Sequence, residues 1–82
     1  MSFYVYILKS IEKKPVTYVG YTINLSKRIK QHNDGKGAKF TRGRKWKLIY
    51  KEKKASKNEA ISREYYIKKN RTLRNKIKNK YL

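Results

Sequence analysis

One glutamate poses the first chemical question. Glu64 lies within "AISREYYIKK", residues 60–69. On a wheel at about 100° per residue it falls inside the apolar arc that Ile67, Ala60 and Ile61 mark. Glutamate is seldom buried unless it is paired or holds a metal. One reading is a salt bridge, with Arg28 as a candidate partner; the other is a carboxylate ligand for a hard divalent ion. Glu59 reads as a helix cap and Glu52 as an exposed strand residue. Arg28 and His32, in "RIKQH", are four residues apart and lie together along one edge of a helix's buried side. Arg28 can give a fork of hydrogen bonds to a phosphate. His32 is the one histidine, and with no cysteine in the chain it has no partners for zinc. Its bland reading is structural; its chemical reading is proton handling or donation to a phosphate. Eight tyrosines are present, and most read as core filler with a wet hydroxyl. Tyr6 and Tyr18, on strands expected to be neighbours, can aim hydroxyls at one point. Between Tyr18 and Tyr21, in "TYVGYT", Gly20 interrupts a strand, which marks a bulge or a place where a neighbouring helix, another backbone or a substrate comes close.

Elements must hold these side chains. "FYVYILK" (3–9) alternates, which predicts a strand with Phe3, Val5 and Ile7 on one face and Tyr4, Tyr6 and Leu8 on the other. "IEKKPV" is a polar turn. "TYVGYT" (17–22) is a second strand, expected to pair antiparallel with the first. Asn24 is placed to cap a helix from Leu25, with Leu25 and Ile29 on its buried side and Gly35 or Gly37 at its end. "GKGAKFTRGRK" (35–45) holds three of the four glycines and five basic residues; it reads as a mobile basic loop. "WKLIYKE" (46–52) is a third strand, with Trp46, Leu48 and Tyr50 expected on one face. Ser56 and Glu59 form a capping box for a helix to about Lys69. A terminal helix, Thr72 to Tyr81, carries Leu73 and Ile77. The order ββαβαα predicts an α+β fold, a small three-stranded antiparallel sheet flanked by helices, in a single domain over 1–82.

Charge narrows the partner. Lys plus Arg is 24 and Asp plus Glu is 5, a net of +19 over 82 residues. Residues 1–35 hold six basic and two acidic residues, and residues 36–82 hold eighteen and three, so the second part carries +15. A polyanion is the simplest partner, and nucleic acid the commonest one. The alternative is a solvated, lysine-rich surface. No apolar run approaches the ~18 residues of a membrane span. The first residues lack a basic segment and a small-residue cleavage site, so no signal peptide is expected. With no cysteine, the expected setting is cytoplasmic and away from membranes.

Taken in order, these motifs resemble the GIY-YIG nuclease superfamily over nearly the whole chain. "YVYI", with Tyr6, is similar to the first half-motif, and "YVG", Tyr18 to Gly20, to the second. "RIKQH" is similar to the family's Arg-x-x-x-His helix, and "AISREYYIKK" to the helix with its metal-binding glutamate. Each motif alone is weak; four in order are specific. The likeness is greatest to small single-domain bacterial members and to the catalytic module of structure-selective junction and flap nucleases. It implies a DNA endonuclease that uses one Mg²⁺ or Mn²⁺ ion held by Glu64. Tyr18 would activate or position the attacking water, and Tyr6 would orient it or the phosphate. Arg28 would stabilise phosphoryl charge, and His32 would assist proton transfer or hold a tyrosine hydroxyl. Free tyrosine has a pKa near 10, so a base role needs positive charge or metal-bound water close by. Two departures stand out: Tyr4 and Val5 replace the glycine and isoleucine of the first half-motif, and Tyr21 stands where some members have lysine. Lys36, Lys39, Arg42, Arg44 and Lys45 are the expected nucleic-acid contacts. Selectivity is expected to be weak or structure-based, set by the basic loop, the C-terminal helices or a partner protein. Phe40 and Trp46 are candidates to stack on exposed bases. A non-catalytic nucleic-acid-binding domain that keeps the fold is the alternative, since +15 alone confers salt-sensitive affinity. A small structural protein of a ribonucleoprotein particle is a third reading.

Overall fold

Strict alternation in the first strand organises the architecture. The computed structural model describes residues 2–80. Strands β1 (Phe3–Ser10), β2 (Thr17–Thr22) and β3 (Trp46–Lys54) form an antiparallel sheet in the order β2-β1-β3. Helices α1 (Leu25–Asn33), α2 (Lys57–Lys69) and α3 (Arg71–Lys80) complete the expected order ββαβαα. The terminal helix was expected to reach Tyr81, which lies outside the described residues. β1 is central, so both of its faces are covered, and Val5, Tyr6, Ile7 and Leu8 are all at most 1% exposed. Val5 and Ile7 pack with Val19, Ile49, Ala60 and Ile67, beneath α2 and α3. Tyr6 and Leu8 face the other way, with Trp46, and α1 closes that side through Leu25 and Ile29. Among the described residues, no helix is long and apolar enough to cross a membrane.

Local chemistry sets the helix ends. The Asn24 side chain accepts from the Lys27 N–H at 3.1 Å. α1 stops at Gly35, whose φ of 76° suits the residue after a helix C-cap. Ser56 accepts from the Glu59 N–H at 3.2 Å, while the Glu59 carboxylate reaches the Ala55 N–H at 3.3 Å, one residue ahead of the cap.

β3 departs from simple alternation. Ile7 pairs with Tyr50, but Leu8 pairs with Leu48, so Ile49 is an extra residue in a β-bulge. A bulge sets two residues against one and re-aims the side chains beyond it. Trp46 and Leu48 therefore serve the α1 side, whereas Tyr50 packs with Ile49 against the α2 core. The expected common face of Trp46, Leu48 and Tyr50 is split. The same shift turns Glu52 toward α2, so it is not the exposed residue expected. Its carboxylate is gripped by Arg63 through Nε and a terminal nitrogen, each at 2.8 Å, and also accepts from the Tyr50 hydroxyl. Arg63 holds the Glu52 carboxyl down at about 2. This clamp ties β3 to α2, the helix that carries Glu64.

The glycine-rich segment is also more ordered than a mobile loop. It contains a 3-10 turn, Lys39–Thr41, and Thr41 is fully buried. The Trp46 indole N–H donates to the Thr41 carbonyl at 2.9 Å, and the Trp46 backbone N–H to the Asn33 side chain at 2.6 Å.

Candidate active site

Gly20 explains how Tyr6 reaches the site. The two residues are partners across the β1–β2 ladder, and the Tyr6 ring lies over the glycine. A Cβ on Gly20 would sit 2.5 Å from the Tyr6 hydroxyl and 3.1 Å from the Tyr18 ring. The close neighbour that the glycine admits is an aromatic ring of the adjacent strand. The Tyr6 hydroxyl is 2.8 Å from His32 Nε2, and His32 Nδ1 is 2.9 Å from Thr41 Oγ1. A Cβ on Gly37 would collide with His32 Nδ1. A second glycine thus makes room for the imidazole, a role hidden in the sequence among other loop glycines.

An open concavity of about 640 Å³ runs along the β2 edge of the sheet, lined among others by Tyr6, Tyr18, Gly20, Arg28, Gln31 and Glu64. Four of the five candidate catalytic side chains therefore share one surface. His32 does not join them: it is fully buried behind Tyr6. Both ring nitrogens find partners there, and the ring packs on Tyr6 and Tyr18 at centroid distances of 5.8 and 5.0 Å. Arg28 donates to the Gln31 side chain at 3.2 Å, so Gln31 belongs to the site although its type and spacing gave no signal. Glu64 pairs with Lys68 at 3.2 Å, one helical turn away, and not with Arg28.

Burial sets the protonation of the inner pair. It lowers the His32 pKa to about 4, with the Arg28 charge adding to the effect. Burial likewise raises the Tyr6 phenol to about 12, with Arg28 opposing and Tyr18 reinforcing. At neutral pH Tyr6 is a phenol and His32 a neutral imidazole. Tyr6 is thus suited to orient by hydrogen bonding, not to act as a base. His32 also ties stability to pH. The unfolded chain protonates it near 6.5, the folded chain only near 4. Between those values the unfolded state alone takes the proton, so stability should fall as pH drops through this window, by up to roughly 3 kcal/mol. Urea midpoints should decline from pH 6.5 to 4.5, and His32→Gln should flatten that slope. A flat wild-type profile would contradict a buried, neutral His32.

The basic segment adjoins the concavity through Phe40, which stacks on Tyr18 at 6.3 Å and stays 51% exposed. Trp46 is 3% exposed, with its N–H committed to Thr41, so it is not available to stack on a base. Arg44 is engaged by Glu12 at 3.0 Å, and the Lys45 ammonium by the Asn33 carbonyl at 3.3 Å. Lys36, Lys39 and Arg42 are exposed. Each of the chain's five acidic side chains has a hydrogen-bond or ion-pair partner. The 24 cationic side chains far outnumber these five.

Among the described residues, no group of three His, Cys, Asp or Glu side chains could hold a metal ion. Among the described residues, Glu64 is the one carboxylate lining the concavity. That donor set suits an oxygen-seeking ion completed by waters and substrate phosphate, as Mg²⁺ prefers, and does not suit a closed zinc cage.

Residues 2–80 match the GIY-YIG catalytic domain. The chain is 61% identical over 67 residues to the UPF0213 protein CPE1444 of Clostridium perfringens, covering 80% of this chain and 70% of that protein. It is 48% identical over 82 residues to the UPF0213 protein BLi00048/BL00536 of Bacillus licheniformis, covering 99% and 79%. The solution NMR structure of the UPF0213 protein BH0048 from Bacillus halodurans superimposes with a TM-score of 0.57 at 41% identity, covering 96% of this chain and 84% of that one.

Proposed function

The chain belongs to the GIY-YIG catalytic domain family, and from that premise we propose that it is a divalent-metal-dependent DNA endonuclease. The supporting observation is the convergence of Tyr6, Tyr18, Arg28 and Glu64 on one concavity. Arg28 suits the phosphoryl oxygens, where a planar guanidinium neutralises charge that grows as the phosphodiester is attacked. The Tyr18 hydroxyl shares the concavity and orients the attacking water. Tyr6, fixed by His32, gives a second hydroxyl to align water or phosphate. Glu64 would hold one Mg²⁺ or Mn²⁺ ion, and the chemistry supplied there is polarisation of the phosphate and stabilisation of the leaving oxygen. Exposed Lys36, Lys39 and Arg42 favour the strand backbone over base identity, which supports structure-based selectivity. We place the activity in the cytoplasm.

The second reading, a binding domain without catalysis, draws on the +19 charge. It leaves Glu64 unexplained, because a carboxylate at the binding face repels phosphate unless a cation stands between them. The deciding assay incubates the protein with plasmid, flap, fork and single-stranded DNA in Mg²⁺ or Mn²⁺. Cleavage that needs the metal and disappears in Glu64→Ala is the expected result. Binding without cleavage under every condition would establish the second reading.

A further inference from the structure

We infer that Thr41 fixes the tautomer of His32 and, through it, the direction of the Tyr6 hydroxyl, which makes Thr41 a positioning residue of the proposed nuclease site. The catalytic part rests on the nuclease reading; the tautomer part does not. A hydroxyl has one proton to give. Thr41 spends it on the Ala38 carbonyl, at 2.7 Å. At its contact with His32 Nδ1, 2.9 Å away, Thr41 Oγ1 is therefore the acceptor, and Nδ1 carries the hydrogen. His32 is neutral, so Nε2 presents a lone pair. The Tyr6 hydroxyl, 2.8 Å from Nε2, is then the donor. Its proton points into the interior, and its oxygen lone pairs are free to accept from a water or a guanidinium in the concavity. The opposite tautomer would reverse this: Nε2–H would donate to Tyr6, and the phenol proton would turn outward.

One feature holds Thr41 in place for the task, and another makes room for its partner. The Thr41 carbonyl accepts from the buried Trp46 indole, and the absent side chain at Gly37 leaves space for the His32 imidazole. The same 3-10 turn carries Phe40 onto the Tyr18 ring. One turn of the basic segment thus touches Tyr18 directly and Tyr6 through a single histidine.

The chain contains one histidine, so its ring nitrogens can be read in the full protein by ¹⁵N–¹H correlation at neutral pH without ambiguity. Wild type should show a protonated Nδ1 and an unprotonated Nε2. Thr41→Val, close in shape but lacking the hydroxyl, should shift the signals toward the other tautomer. It should also lower kcat on a labelled DNA flap at least about tenfold while leaving KM within about twofold. Thr41→Ser should restore both readouts. A wild-type spectrum with Nε2 protonated would overturn the inference, and needs no variant to fold. So would a folded Thr41→Val protein with the wild-type tautomer. If wild type cleaves no DNA, the nuclease reading fails while the spectra still decide the role of Thr41 in the tautomer.

Discussion

Glu64→Ala should lower DNA cleavage by at least about 10³-fold while changing DNA affinity by less than about threefold. Loss of a single preorganised electrostatic group at a reacting centre already costs about 10²–10³ in rate. Here the carboxylate would also be the protein's anchor for the metal, because no other acidic side chain among the described residues lines the concavity. Affinity has a different origin. It comes from cations spread over a chain of net charge +19, and without a bound ion Glu64 opposes it. The fold should be indifferent to the change. The Glu64–Lys68 pair is a one-turn contact with the lysine side chain 50% exposed, the kind of pair that stabilises by a few tenths of a kcal/mol. Glu64→Gln separates charge from shape and should be as inactive as alanine. Cleavage is monitored on plasmid and flap DNA in Mg²⁺ and Mn²⁺, and binding by anisotropy at one fixed salt concentration. Undiminished cleavage by a rigorously purified Glu64→Ala protein would remove the carboxylate from the mechanism. A large loss of DNA binding instead would make Glu64 structural.

Gly20→Ala is expected to destabilise the fold by about 1–3 kcal/mol and to lower activity by about 10²-fold. On propensity alone the change should help, since glycine weakens a strand by roughly 0.5–1 kcal/mol relative to alanine. Gly20 is not among the glycines with positive φ, so alanine meets no backbone penalty. The obstacle is space. The new methyl would lie 2.5 Å from the Tyr6 hydroxyl and 2.7 Å from Cζ. Tyr6 cannot swing aside cheaply, because it is 1% exposed and its hydroxyl is held by buried His32. Either β2 moves away from β1 or the phenol leaves His32, and each outcome displaces a tyrosine from the concavity. Urea denaturation and the His32 ring ¹⁵N shifts would report the two components separately. Wild-type stability with wild-type turnover would show that the close approach has no consequence.

Much of this molecule is legible without coordinates, and the reason is range. Alternation in Phe3–Ser10, the Asn24 and Ser56 caps and the glycine after α1 depend on neighbours a few residues away, so element order and the α+β class come from local pattern. The candidate site residues have another origin. Glu64, Arg28 and His32 each admit a bland reading of packing or pairing, and only the order of four motifs that together resemble one family makes them candidates. The features that stayed hidden depend on docking. The bulge at Ile49 arises from how β3 fits β1, and it turns Glu52 inward to Arg63. His32 looked like an edge residue because a wheel shows where a side chain points, not what lies above it. Its partners Tyr6 and Thr41 come from β1 and the basic segment, 26 and 9 residues away along the chain. Gly20 and Gly37 were identifiable as glycines, but the rings that fill their missing side chains were not. Local pattern thus determined which elements form and which residues are candidates. Tertiary packing decided which face one another, because hydrogen bonds and steric limits between distant segments exist only once the sheet and helices have closed.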